Sequence, residues 1–252
     1  MTNAKSTKAG AALMSDRIML DVDGRCVAVA VRRNARARRL TLRVPTAGGP
    51  PVLTLPPGIG LTQAERFVTN HSAWLATHLS HRPEATPFAP GVLVPVRGVP
   101  HRVEHRPDAR GTVWTEAAPD GERLCVSGDR GFLARRIGDW LIRQARQDLA
   151  AAVERHAATL EQPVKAVRLR DTVSRWGSCT VDGVLSFSWR LILAPAFVLD
   201  YVAAHEVAHL IEMNHSPRFW AIVDRLCPDM DRAREWLRLH GPELHAVGAQ
   251  AS

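Results

Sequence analysis

The segment His205-Glu206-Val207-Ala208-His209, with His215 six residues further on, constrains this chain more than any other feature. Two histidines four positions apart on a helix project from one face, about one turn apart, so their ring nitrogens can converge on a single cation. Glu206 is displaced around the same helix, where its carboxylate can hydrogen-bond a water without ligating the cation. That pattern is the mark of a zinc hydrolase with a carboxylate general base.

A catalytic zinc takes three protein ligands and keeps one position open for water. His205 and His209 supply two. On an unbroken helix, Glu212 is on the correct face but about 10 Å farther along the axis than His205. A turn after Glu212, with Asn214 in a left-handed conformation, is expected instead to swing His215 back as the third ligand. The interval from His209 to His215 equals that of the metzincin motif, although Glu212 stands where that motif has its glycine. Should His215 not ligate, Glu212 and Asp224 are the alternatives.

Along the chain, residues 1–15 are predicted to be a flexible tail, 16–130 a β-rich N-terminal domain and 131–245 a metallopeptidase-like domain. RIMLDV and RCVAVAV read as strands joined by an Asp23-Gly24 turn. Thr62 and Glu65 form a capping-box pattern that opens a helix over residues 62–79. From Phe132 the period changes: Leu133, Ile137, Trp140, Leu141, Leu149, Val153 and Leu160 mark one face of a long helix. Strands follow at VKAVRLR, SRWGSC and VLSFSWRLIL, then a helix over residues 195–213 carrying the histidines. Ser216 caps the next helix with Pro217 in its first turn. A last helix over residues 231–240 is expected to stop at Gly241-Pro242. The fold class is therefore α+β, with a helix, an antiparallel sheet and further helices in the second half.

The chain has 252 residues, 46% of them hydrophobic, enough to bury a core. No apolar run approaches the ~20 residues of a membrane span. The first residues lack the apolar core of a signal peptide, so a cytoplasmic location is expected. Cys26, Cys125, Cys179 and Cys227 are scattered and form no C-x-x-C pair, which argues for free thiols over a zinc ribbon or a disulfide framework. The net charge is +8, and all 33 cations except Lys5, Lys8 and Lys165 are arginine. Arg32, Arg33, Arg36, Arg38, Arg39 and Arg43 form the densest cluster, with no acidic residue among them. It is either a solvated hairpin end or a nucleic-acid contact.

SRWGSC (174–179), SWRLILAP (188–195), LDYVAAHEVAHL (199–210) and NHSPRFW (214–220) occur in that order. In these segments the chain resembles the YgjP-like metallopeptidase family, a relative of the SprT-like and minigluzincin zinc proteases. The resemblance covers residues 131–241 and extends more loosely to RRNARARRLTLRV and the helix with Trp74. It implies a zincin-like fold, a Zn²⁺ cofactor held by His205, His209 and His215, and Glu206 as catalytic base. In a zincin, the strand beside the active helix receives substrate as an added strand, and similarity and position put that strand near residues 184–193.

Arg175, Trp189 and Tyr201 are candidate substrate-binding residues. Arg175 could stabilise an anionic intermediate or sit in a structural ion pair. Tyr201, one turn before His205, could hydrogen-bond a developing oxyanion or fill the core. Trp189 is a cleft wall or a core residue. Asp200 and Asp224 are candidates for orienting histidine rings. Cys179 is expected to be a buried small residue.

The expected function is hydrolysis of peptide bonds by a water on a zinc ion held by three histidines, with Glu206 as general base and a protein or peptide as substrate. The alternatives are a DNA-associated SprT-like protease acting on nucleic-acid-bound proteins, using the arginine cluster, and a structural zinc module without catalysis. A zinc amidase acting on a small molecule also fits the motif. No membrane partner is expected.

Overall fold

Alternating apolar residues in RIMLDV and VLTL build one face of a sheet. The computed structural model describes residues 12–14, 17–22, 24–45, 49–80 and 83–249. Strands β1 (Ala12–Met14), β2 (Arg17–Val22), β3 (Arg25–Arg33), β4 (Thr41–Arg43) and β5 (Val52–Leu55) lie in the order β1-β2-β3-β5-β4. Among them β3 and β5 run parallel and the other neighbours antiparallel. Ile18, Leu20, Val29, Leu53 and Leu55 share a buried cluster with Ala64 and Val68 of helix α1 (Leu61–Asn70) and Leu75 of α2 (Ser72–Ser80).

Three local expectations change here. Residues 12–14, predicted as tail, pair with β2; the rest of that tail, 1–11 and 15, lies outside the described residues, as does Asp23 of the expected turn. Gly24 of that turn has φ +78° and donates its N–H to Asp21 Oδ1 at 2.8 Å. The capping box does not form. Gly60 in extended conformation is the cap, so Thr62 already lies inside the first turn, and the helix breaks at His71.

The chain divides into two compact units between Glu84 and Ala85, rather than near residue 130. The reason is a shared core. Val94, Val103, Leu124 and Val126 of a second sheet are buried in one cluster with Leu133, Ile137 and Leu141 of the long helix. That sheet comprises β6 (Leu93–Val96), β7 (Val99–His105), β8 (Val113–Ala118) and β9 (Gly121–Val126), in the order β6-β7-β9-β8. The long helix is α3 (Leu133–Leu160), and every residue of its predicted face is buried.

A third sheet positions the site: β10 (Ala166–Arg170), β11 (Gly177–Cys179) and β12 (Val184–Ser188), ordered β10-β12-β11. β11 and β12 form a tight antiparallel hairpin, but β10 runs parallel to β12, so this sheet is mixed where the sequence predicts an antiparallel one. The loop and β11 between them return the chain to the end from which β10 began. β12 also stops early. Ser188 Oγ accepts from the Arg190 N–H and turns Trp189–Leu193 into a 3₁₀ helix.

Helices α4 (Ala196–Ala208), α5 (Pro217–Leu226) and α6 (Met230–Ala246) complete the unit. α6 runs through Gly241 and Pro242, where the sequence predicts a stop. Its last turn is held by burial of Leu244, His245 and Ala246, and by Arg190, which donates to the carbonyls of Leu244 (3.0 Å) and Val247 (2.6 Å). Among the described residues, no helix is long and apolar enough to cross a membrane.

Candidate metal centre

Helix α4 carries His205, Glu206 and His209 on its last turn and at its C-cap. The helix ends at Ala208, five residues earlier than the sequence pattern predicts. Leu210 and Ile211 donate to carbonyls three residues back, at 3.0 and 3.1 Å, which tightens the chain into a turn. Asn214 is not left-handed, since among described non-glycine residues only Arg97 and Glu161 have positive φ. Its carbonyl accepts from the Ser216 N–H at 2.8 Å, and Ser216 Oγ caps α5 by accepting from Phe219 N–H at 3.3 Å. This short connection brings His215 back over α4.

The three imidazoles converge. One ring nitrogen from each of His205, His209 and His215 lies within 4.8 Å of the others, and among the described residues no fourth histidine, cysteine or carboxylate joins them. His205 Nε2 and His215 Nε2 are 3.1 Å apart. Two nitrogens on one tetrahedral zinc stand about 3.3 Å apart, given bonds of about 2.0–2.1 Å. His209 Nδ1 is 3.0 Å from the Glu212 carbonyl oxygen. A proton on Nδ1 donates there and leaves the Nε2 lone pair free.

Electrostatics favour the same use. Burial, with His209, His215 and Arg234 nearby, pushes His205 down to about 4. Burial also lowers His209, against the pull of the Glu212 carbonyl. Near neutrality both rings are therefore uncharged and keep a lone pair to donate. Glu206 is 5% exposed, and its Oε2 is buried without a hydrogen-bond partner. Burial lifts Glu206 to about 8, opposed by the positive charge of Arg175. An orphaned buried carboxyl oxygen beside three convergent imidazoles is a donor set that suits a divalent cation.

Two supporting residues escape sequence reasoning. Phe219 is fully buried among the rings, with centroids 4.4 Å from His209, 4.8 Å from His215 and 4.9 Å from His205. Its only trace in the sequence is its position one turn after His215. Gly177 of β11 packs on Glu206. A β-carbon there would stand 2.6 Å from Glu206 Cγ and 2.7 Å from its carboxyl carbon. Nothing local in SRWGSC signals that approach.

The other candidates disperse. Trp189 is 8% exposed, within the core, with the Arg190 guanidinium 4.7 Å above its ring, so it is no cleft wall. Tyr201 is 7% exposed and its hydroxyl lies 3.5 Å from His205 Nδ1, so it backs a histidine rather than facing a substrate; burial lifts that hydroxyl to about 12. Arg175 is exposed beside β11 and forms no ion pair among the described residues. Asp200 orients no clustered histidine; it accepts from His156 at 2.8 Å and from Arg155. Asp224 is exposed on α5. Cys179, raised to about 11 by burial and by nearby Glu206, stays outside the cluster.

The strand at residues 184–188, expected to receive substrate, is β12. β12 is central and paired on both sides, whereas β11 is an edge strand among the described residues and packs against α4.

The sequence matches the YgjP-like family, metallopeptidase domain, over residues 38–240. Among solved structures, the chain is similar to the metallopeptidase zymogen of Pyrococcus abyssi abylysin. Identity is 22%, over 37% of this chain and 92% of that one, with a TM-score of 0.33. No curated protein matches.

Proposed function

The chain belongs to the YgjP-like metallopeptidase family, and from that premise we propose that it is a zinc-dependent peptidase with His205, His209 and His215 as ligands and Glu206 as general base. The observation that carries this reading is the convergence of three histidine nitrogens within 4.8 Å beside the orphaned Oε2 of Glu206. When bound there, Zn²⁺ supplies Lewis acidity to the scissile carbonyl and to a water molecule. Glu206 takes the proton of the attacking water and returns it to the leaving amine. Tyr201 and the Glu212 carbonyl fix the rings of His205 and His209, and buried Phe219 packs against both. A purely structural zinc module is disfavoured, because the described residues offer no fourth protein donor.

The test uses purified full-length protein. About one zinc per chain is expected, lost in His205→Ala and His215→Ala. Zinc retained at full stoichiometry by His215→Ala would transfer the third position to Glu212 or Asp224. Glu206→Gln should keep zinc and fold while turnover falls at least ~10²-fold on a substrate found by peptide profiling. Undiminished turnover overturns the assigned base.

A second reading places this peptidase on nucleic-acid-bound proteins. Arg32, Arg33, Arg36, Arg38, Arg39 and Arg43 are all exposed, and none lies in an ion pair among the described residues. A cytoplasmic setting fits the four cysteines, all free thiols.

A further inference from the structure

On the third sheet, Ser178 and Ser186 are direct cross-strand partners, so their side chains share one face. Leu185 and Phe187 are buried on the opposite face. A cavity of about 230 Å³ on the serine face is lined by Arg170, Thr172, Arg175, Ser178 and Ser186, with Gly177 and Phe187 completing its wall. No carboxylate lines it. Asp171, the nearest acid in sequence, is engaged by Arg190 at 2.7 Å. Neither Arg170 nor Arg175 is in an ion pair among the described residues. Two arginines and two serines thus line the cavity with no carboxylate among the lining residues, and the Thr172 hydroxyl beside them donates to the Arg175 carbonyl at 2.8 Å.

The ladder relates this cavity to the site. Ser188 N–H donates to the Trp176 carbonyl at 2.8 Å, and Thr180 N–H to the Val184 carbonyl at 3.0 Å. In an antiparallel pair, hydrogen-bonding positions alternate, so Ser178 also bonds inward to Ser186. Gly177 and Cys179 then direct their backbone N–H and C=O groups to the outer edge of β11, which pairs with no further strand among the described residues. A peptide strand added to that edge bonds Gly177 and Cys179, and the residue opposite Ser178 sends its side chain to the serine face. Gly177 lies against Glu206, so this residue is close to the reacting bond.

We infer that this cavity is a subsite for a carboxylate of the substrate, which makes the enzyme selective for acidic peptides; the inference rests on the peptidase reading above. The carboxylate can come from a Glu or Asp side chain or from the C-terminus of the peptide. Arg170 and Arg175 provide the charge-assisted bonds and Ser178 and Ser186 the neutral donors.

The experiment uses zinc-loaded full-length protein and alanine-based decapeptides carrying Glu or Gln at each position in turn, with free or amidated C-termini. Cleavage of Glu peptides, or of free-acid peptides, should be about tenfold faster in kcat/KM than of their neutral partners. Arg175→Gln and Arg170→Gln should abolish that preference. Arg143→Gln, which removes the same charge from the exposed side of α3, should retain it. Loss on amidation assigns the C-terminal carboxylate, and persistence assigns the side chain. Binding of the same peptides to Glu206→Gln separates the two readings. Hydrolysis without discrimination, or a preference unchanged in both arginine variants, overturns the subsite and leaves the peptidase standing. Tighter binding of the charged peptides with no hydrolysis by the wild type overturns the peptidase and leaves the subsite. Absence of both overturns both.

Discussion

At the scale of single residues, the site depends on an atom that is missing. Gly177 leaves room for the Glu206 side chain, and a methyl group would stand within 2.6–2.7 Å of its Cγ and carboxyl carbon. Backbone strain is not involved, because Gly177 is outside the positive-φ glycines. Something must therefore shift, and Glu206 is the shorter lever than the sheet. Gly177→Ala should keep zinc and lower kcat by about tenfold or more, since small misplacement of a catalytic group costs rate steeply. Zinc content and kcat measured on one preparation test it; unchanged kcat would mean that Glu206 is not held by β11.

At the scale of elements, α3 and α4 are pinned by a polar contact that also steadies the histidine helix. Asp200 of α4 accepts from buried His156 and from Arg155, both on α3. Burial by itself would raise the Asp200 carboxyl, but those two partners outweigh it and hold the carboxyl below its ordinary value. A depressed folded value means that the contribution to stability is full above the unfolded value, about 4, and is lost as pH falls through the folded one. Asp200→Asn should cost about 1–3 kcal/mol at pH 7. The gap between wild type and variant in urea melts should narrow below about pH 4. A gap constant from about pH 7 to about pH 3 would rule the contact out as the cause.

The arginines of β3, β4 and their connection pose a separate question at this scale. Arg32 lies beside Thr54 and Arg43 beside Val52 in the ladder, so both stand on the face opposite buried Leu53. If they contact phosphates, replacing Arg32, Arg33, Arg36, Arg38, Arg39 and Arg43 by Gln should reduce DNA affinity and flatten its salt slope. Peptide hydrolysis should be unaffected. No DNA or RNA binding by the wild type at low salt would leave the cluster a solvated surface.

At the scale of the whole molecule, the candidate metal centre, His205, His209 and His215 with Glu206, lies within the unit of residues 85–250. The two buried clusters share no residue. A fragment of residues 85–250 should therefore fold by itself and retain about one zinc per chain. Metal analysis with a cooperative thermal melt tests this; a fragment that folds without zinc would make residues 1–84 part of the site's assembly.

Much of this is legible in the sequence because helical and strand periods are local. The spacing of His205, His209 and Glu206 needs only about 3.6 residues per turn, and the buried stripe of α3 needs the same rule applied over about seven turns. The return of His215 follows from reach alone, though the turn that achieves it is tighter than expected and does without a left-handed Asn214. Contacts between distant segments are not legible. β10 pairing parallel to β12, α6 continuing through Pro242 under the hold of Arg190, and Trp189 turning into the core are each decided by partners far away in the chain. So is Gly177, an ordinary strand glycine until β11 is laid against α4. Local chemistry set the spacing of the three histidines, and long-range packing decided which strand edge and which charged cavity stand beside them.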